Sequence, residues 1–269
     1  MWANGYSFPK NWSNFMARRI LRIEPPYLLS IAVTLLVLTV AAANKGSSFS
    51  IDWLNVLGHV GYLNVFNGKA WILGVYWTLA VEFQYYLMIS LFFPLLFMGD
   101  LRKNIVAILI LLAVSIPITK LLNDEGFISR HIPLFLAGIV VFKYYTKILN
   151  LGQFLPLSLL ILAAIYYEFG ILYTLSSVFT AAMIMLNVDI KWRFMYFLGK
   201  ISYSLYLMHW IFGVEIAMKT LQYLVPAPGT FLKIGITLLA IAAAIGLSYL
   251  YYLLIEKPAI RWAKNFKKV

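Results

Sequence analysis

Three arginines, Arg18, Arg19 and Arg22, lie just ahead of an apolar run that opens at Pro25-Pro26. Guanidinium groups bind phosphate in a fork geometry, so the cluster is a ready anion site. Arginines beside a membrane-length segment also mark its cytoplasmic end, because they are not translocated. Spacing alone leaves both readings open: an anchor that sets topology, or the mouth of a site for a phosphate-bearing substrate.

Three further constellations place polar groups where apolar ones are expected. Glu82, in Trp77-Thr78-Leu79-Ala80-Val81-Glu82, sits inside a long apolar stretch. A carboxylate at membrane depth is costly and turns to a bundle interior or a wet cavity. It suits a general acid or base, or an ion pair that locks two helices. Ser202, Tyr206 and His209 are spaced i, i+4 and i+7, so they share one helix face. Two hydroxyls and an imidazole so aligned need partners or a ligand, although a single His on an apolar helix is often structural. Glu256-Lys257-Pro258, with Arg261, reads as a helix end: Pro258 stops the helix and Glu256 takes part in a surface ion pair. The other two histidines, His59 and His131, have no metal-ligating neighbours at suitable spacing.

The elements that carry these groups follow from composition. Of 269 residues, 62% are hydrophobic and 12% charged, against about 45–50% apolar and about 25% charged in a soluble domain. This predicts an all-α polytopic membrane bundle. Nucleic acid is not the expected partner of the +12 net charge, because the basic residues lie in short loops between apolar runs. Cysteine is absent, which excludes disulfides and thiolate metal sites. The first apolar run is too long for a signal peptide and no small-residue cleavage site follows it. A spanning helix needs about 20 mostly apolar residues. Eight segments qualify, at 25–43, 75–97, 104–122, 129–146, 153–168, 170–187, 200–219 and 230–255. With the N-terminus inside, sixteen of the 22 Lys and Arg residues fall on the inner side, which supports an N-in, C-in arrangement. Residues 44–74 then form a long polar outer loop, expected to pack along the membrane face, and 256–269 a cytoplasmic tail.

The residues resemble one family. Phe15-x-x-Arg18-Arg19-x-x-Arg22-Ile23-x-Pro25-x-Tyr27 looks like the arginine signature of the membrane acyltransferase-3 family, which modifies bacterial surface sugars. Trp77-Thr78-Leu79-x-Val81-Glu82-x-Gln84-Tyr85-Tyr86 is similar to its second signature. Gly199-Lys200-Ile201-Ser202-Tyr203-Ser204-Leu205-Tyr206-Leu207-x-His209 matches its third, and Glu256-x-Pro258 the motif that closes its last helix. The four come in family order and span Phe15 to Pro258.

The resemblance implies a single membrane domain in the bacterial inner membrane that transfers an acyl group, often acetyl, from acyl-CoA to a hydroxyl of a surface or lipid-linked carbohydrate. No bound cofactor is implied; acyl-CoA is a co-substrate. Glu82 and His209 are the implied catalytic pair. Arg18, Arg19, Arg22, Tyr27, Trp77, Tyr86, Ser202 and Tyr206 are implied in substrate binding, with Arg19 and Arg22 on the CoA phosphates. Trp53, Tyr62 and Trp71 are possible stacking faces for a glycan. The family's domain also carries two helices and a catalytic histidine upstream of the arginine signature, which here begins at Phe15. The chain is therefore expected to be a shortened member. The alternative expectation is a non-catalytic carrier or partner subunit that binds the acyl donor or lipid-linked sugar, or an inactive fragment.

Overall fold

Apolar residues with few breaks favour helices in a chain that must satisfy its own backbone polar groups. The computed structural model, which describes residues 10–122, 124–188, 191–225 and 229–266, holds no strand among them. The first helix, α1 (Lys10–Ala43), begins well before the apolar run and passes through Pro25 and Pro26 unbroken. Two prolines remove the donors that would serve the carbonyls of Leu21 and Arg22. Neighbouring tyrosines bond to carbonyls on either side: Tyr203 donates to Ile23 at 2.9 Å, and Tyr251 to Pro26.

Contacts divide the chain into two compact units. One comprises Met1–Trp12 and Trp77–Ile190. It holds α4 (Trp77–Phe97), α5 (Leu101–Leu122), α6 (Ile128–Tyr145), α7 (Leu151–Phe169) and α8 (Ile171–Met185). Its core runs through Leu96, Ile108, Leu136, Ile139, Ile161 and Ile165. Asn150 caps α7 with a reciprocal Gln153 bond, a pattern that satisfies two orphan helix donors. Gly170, at φ +79°, ends α7 and starts α8 in a single residue. That backbone conformation is open to glycine at little cost. Lys143 is buried in this core, donating to Asn104 Oδ1 at 3.0 Å and lying 5.0 Å from the Phe97 ring centre.

The other unit comprises Ser13–Tyr76 and Lys191–Val269. After α1 come two short helices, α2 (Trp53–Val60) and α3 (Asn64–Asn67). Within residues 44–74, the expected outer loop, these two helices are the regular structure. Asp52 caps α2 and pairs with Lys69, which holds its carboxyl below the usual range. Gly58 lets α3 approach: a Cβ there would lie 2.6 Å from Asn64 Oδ1. α9 (Arg193–His209) continues through a π-helical stretch, Trp210–Met218, into α10 (Lys219–Leu224). α11 (Thr230–Tyr251) likewise continues through Tyr252–Glu256 into α12 (Lys257–Asn265).

Pro258 therefore does not stop the last helix. It stands in the first turn of α12, where its missing N–H is tolerated, so 257–265, within the expected tail, is helical. All eight segments expected to span lie on helices. Five helical stretches are long and apolar enough to cross a membrane: Trp12–Ala43, Trp77–Phe97, Leu101–Leu122, Leu151–Phe169 and Thr230–Asn265. Of the other three segments, the one on α6 carries Arg130 and Lys143, and the one on α8 has only 15 residues. The one on α9 is polar along one face and runs into the π-helical stretch.

Candidate functional site

The third signature does its structural work through hydroxyls that leave α9 in different directions. Tyr203 donates to the Ile23 carbonyl on α1. Ser204 offers its backbone N–H at 3.1 Å and its hydroxyl at 2.5 Å to Glu256 Oε2. Tyr206 donates to the Val75 carbonyl at 2.9 Å. One helix is thus tied to the arginine helix, to the closing Glu-x-Pro motif and to the segment that follows α3. Glu256 corrects the surface-pair expectation: it is buried, and serine rather than Lys or Arg supplies its hydrogen bonds. Buried carboxylates need such donors.

Ser202, Tyr206 and His209 do share a face. All three line an open cavity of about 780 Å³, whose other walls are apolar and small residues that include Leu205, Gly213, Ala240 and Ala244. His209 Nδ1 lies 2.8 Å from the Tyr206 carbonyl and 3.2 Å from that of Leu205. A carbonyl only accepts, so Nδ1 carries the proton and Nε2 keeps its lone pair. Nε2 makes no hydrogen bond among the described residues. This is the tautomer a general base requires. Ser202 donates to the Gly199 carbonyl at 3.0 Å and remains exposed.

The arginines lie on α1 of the same unit. Arg18 Nε donates to the Asn14 carbonyl at 3.0 Å, Arg19 lies over the Phe15 ring at 5.2 Å, and Arg22 is exposed. Arg22 acts electrostatically on Glu256. Their spacing puts Arg18 and Arg22 on one face and Arg19 beside them.

Tyr27 is not at a surface. It is fully buried, stacked on Tyr62 at 5.1 Å and edge-on to Tyr76 at 5.1 Å. Its hydroxyl has no hydrogen-bond partner among the described residues. The Tyr76 hydroxyl lies 3.1 Å from both Ser30 and Thr34. Glu24, Tyr76 and Tyr251 were not singled out from sequence. The signal was available only as a carboxylate two residues beyond Arg22 and as tyrosines with no obvious period.

Trp77, Glu82 and Tyr86 belong to the other unit. Tyr86 donates to Glu82, one turn away. Trp77 stacks on His131 at 5.4 Å, and Gln84 ties the α5–α6 loop through Gly126 and Ile128. Among the expected glycan faces, Trp53 is exposed, Tyr62 is buried, and Trp71 packs edge-on to His59. His59 is itself fully committed: Nδ1 donates to the Asn55 carbonyl at 2.8 Å and Nε2 accepts from Ile72 N–H at 3.1 Å. No group of His, Asp or Glu suited to a metal ion occurs among the described residues.

A family model described as an acyltransferase domain matches residues 1–253. No curated protein and no solved structure gives a match.

Proposed function

Because the chain belongs to the acyltransferase-3 family, we propose that this membrane protein transfers an acyl group, acetyl first among the options, from acyl-CoA to a hydroxyl of a surface or lipid-linked carbohydrate. The observation that carries the site assignment is the His209 tautomer, with Nδ1 bonded to its own helix and Nε2 available at a cavity. In this reading Nε2 accepts the proton of the acceptor hydroxyl as its oxygen attacks the thioester carbonyl. The C–O bond forms, the C–S bond breaks, and the proton passes on to the departing CoA sulfur. Arg18, Arg19 and Arg22 hold the CoA phosphates, while Ser202 and Tyr206 border the reacting groups. Glu82, oriented by Tyr86, is a second proton-exchanging group, and Trp77 buttresses the start of its helix. Eight crossings of the bacterial inner membrane, with both termini cytoplasmic, put the arginines on the side that holds CoA.

Labelled acetyl-CoA supplied to membrane vesicles that contain the protein tests the roles separately. His209→Ala should lower kcat by about 10²- to 10⁴-fold, the usual contribution of a general base. Arg22→Ala should raise KM for acyl-CoA about tenfold with a smaller change in kcat, as expected for one lost charged contact of about 1.4 kcal/mol. Unchanged kcat in the histidine variant would remove it from the chemistry.

A further inference from the structure

The segment between α1 and α4 is built inside out. Its polar groups turn inward: Asn64 donates to Asn55, Asn55 to the Ala70 carbonyl, and both His59 nitrogens are used. Its large apolar side chains turn outward, with Trp53, Leu54 and Leu57 each 65% exposed and Phe66 73% exposed. A segment in water would be arranged the other way, because about 25 cal/mol is gained for each Å² of apolar surface removed from it. Between Trp53 and Gly68 there is no charged side chain; the charges, Asp52 and Lys69, pair with each other at the base.

The segment also lies against a membrane-length helix. Tyr62 stacks on Tyr27, while Tyr76 meets Ser30 and Thr34. These contacts cover α1 from Tyr27 to Thr34, inside the stretch able to cross a membrane. Tyr27 lies sixteen residues before Ala43, about 24 Å along the helix at about 1.5 Å per residue. An element packed at that depth meets either lipid or protein on its outer side.

We propose that residues 53–68 are a re-entrant insertion, with α2 and α3 entering the bilayer beside α1, their apolar outer faces against lipid chains, and the Asp52–Lys69 pair at the aqueous base. Non-helical backbone at membrane depth is tolerated where protein covers it. The turn at Gly61-Tyr62 meets that condition: Tyr62 is buried, and its N–H bonds to the His59 carbonyl. The insertion brings Tyr62 onto Tyr27 of α1, five residues beyond Arg22, whichever group the protein transfers.

The cysteine-free chain permits single nitroxide labels at Leu57→Cys, Phe66→Cys and Ser48→Cys in liposomes. The expected result at 57 and 66 is strong broadening by oxygen with loss of collisions with a water-soluble nickel chelate. Ser48, in the exposed stretch before Asp52, should collide with nickel. Nickel access at 57 and 66 equal to that at 48 would overturn the insertion. Poor access to both reagents would overturn the lipid contact in favour of a protein partner or a second copy. Both labelled positions are exposed, so the labels do not disturb packing; normal gel-filtration behaviour of each variant checks this.

Discussion

Glu256 and Ser204 bear most directly on whether the closing motif is structural. The carboxylate accepts two hydrogen bonds from one residue in a buried setting. Hydrogen bonds to charged groups contribute about 1.5–3 kcal/mol each. Glu256→Gln should lower stability to unfolding in mixed micelles by about 1.5–3 kcal/mol on that scale. The Ser204→Ala, Glu256→Gln double variant should lose clearly less than the two single losses combined, since both act on one contact. Strict additivity would mean that the two residues do not cooperate. The face shared by Ser202, Tyr206 and His209 was legible because 3.6-residue periodicity needs no tertiary information. Glu256 was misplaced to the surface because a carboxylate beside Lys257 looks like an ion pair, and only the fold reveals that Ser204 reaches it.

Among the elements, α2 and its neighbours carry the pH dependence. Burial holds His59 below its usual range near 6.5, so the folded segment binds the neutral ring. A base whose folded pKa is depressed contributes fully above its unfolded value and loses that contribution as pH falls below it. Protonation must also break one of two bonds, because the Ile72 N–H needs the Nε2 lone pair. The protection of residues 53–72 against amide exchange, taken relative to the intrinsic rate at each pH, should therefore fall between about pH 7 and pH 5, the window around an ordinary histidine. His59→Gln should flatten the dependence. Equal protection at both pH values in the native protein would contradict the assignment of both ring nitrogens. The sequence showed this stretch only as the longest polar interval. Its asparagines and histidine turn inward by pairing with one another, and no local pattern predicts that pairing. Pro258 misled for a related reason. It stops a helix where the chain cannot absorb the lost donor, but here it stands in the first turn of α12 and a π-helical stretch leads into it.

For the whole molecule, composition alone established the class. At 62% hydrophobic residues the chain reads as a membrane bundle, and five helical stretches are long and apolar enough to cross. The division into two units was not legible, because the chain enters the second unit, leaves it for α4 to α8, and returns at Lys191. Such a path depends on long-range packing. Topology has its own test in the cysteine-free background. Ser48→Cys should react with an impermeant thiol reagent from outside intact cells, and Lys147→Cys should react only after permeabilisation. The reverse pattern would invert the charge-based orientation.

Turnover separates the proposed acyl transfer by this chain from binding of a donor alone. The most direct measurement uses the purified chain alone in lipid nanodiscs, with acetyl-labelled CoA and a lipid-linked glycan fraction. The expected result is label in the carbohydrate, matched one for one by release of CoA thiol, and loss of both in His209→Ala. Saturable CoA binding with no label transferred would contradict it and identify a partner subunit instead.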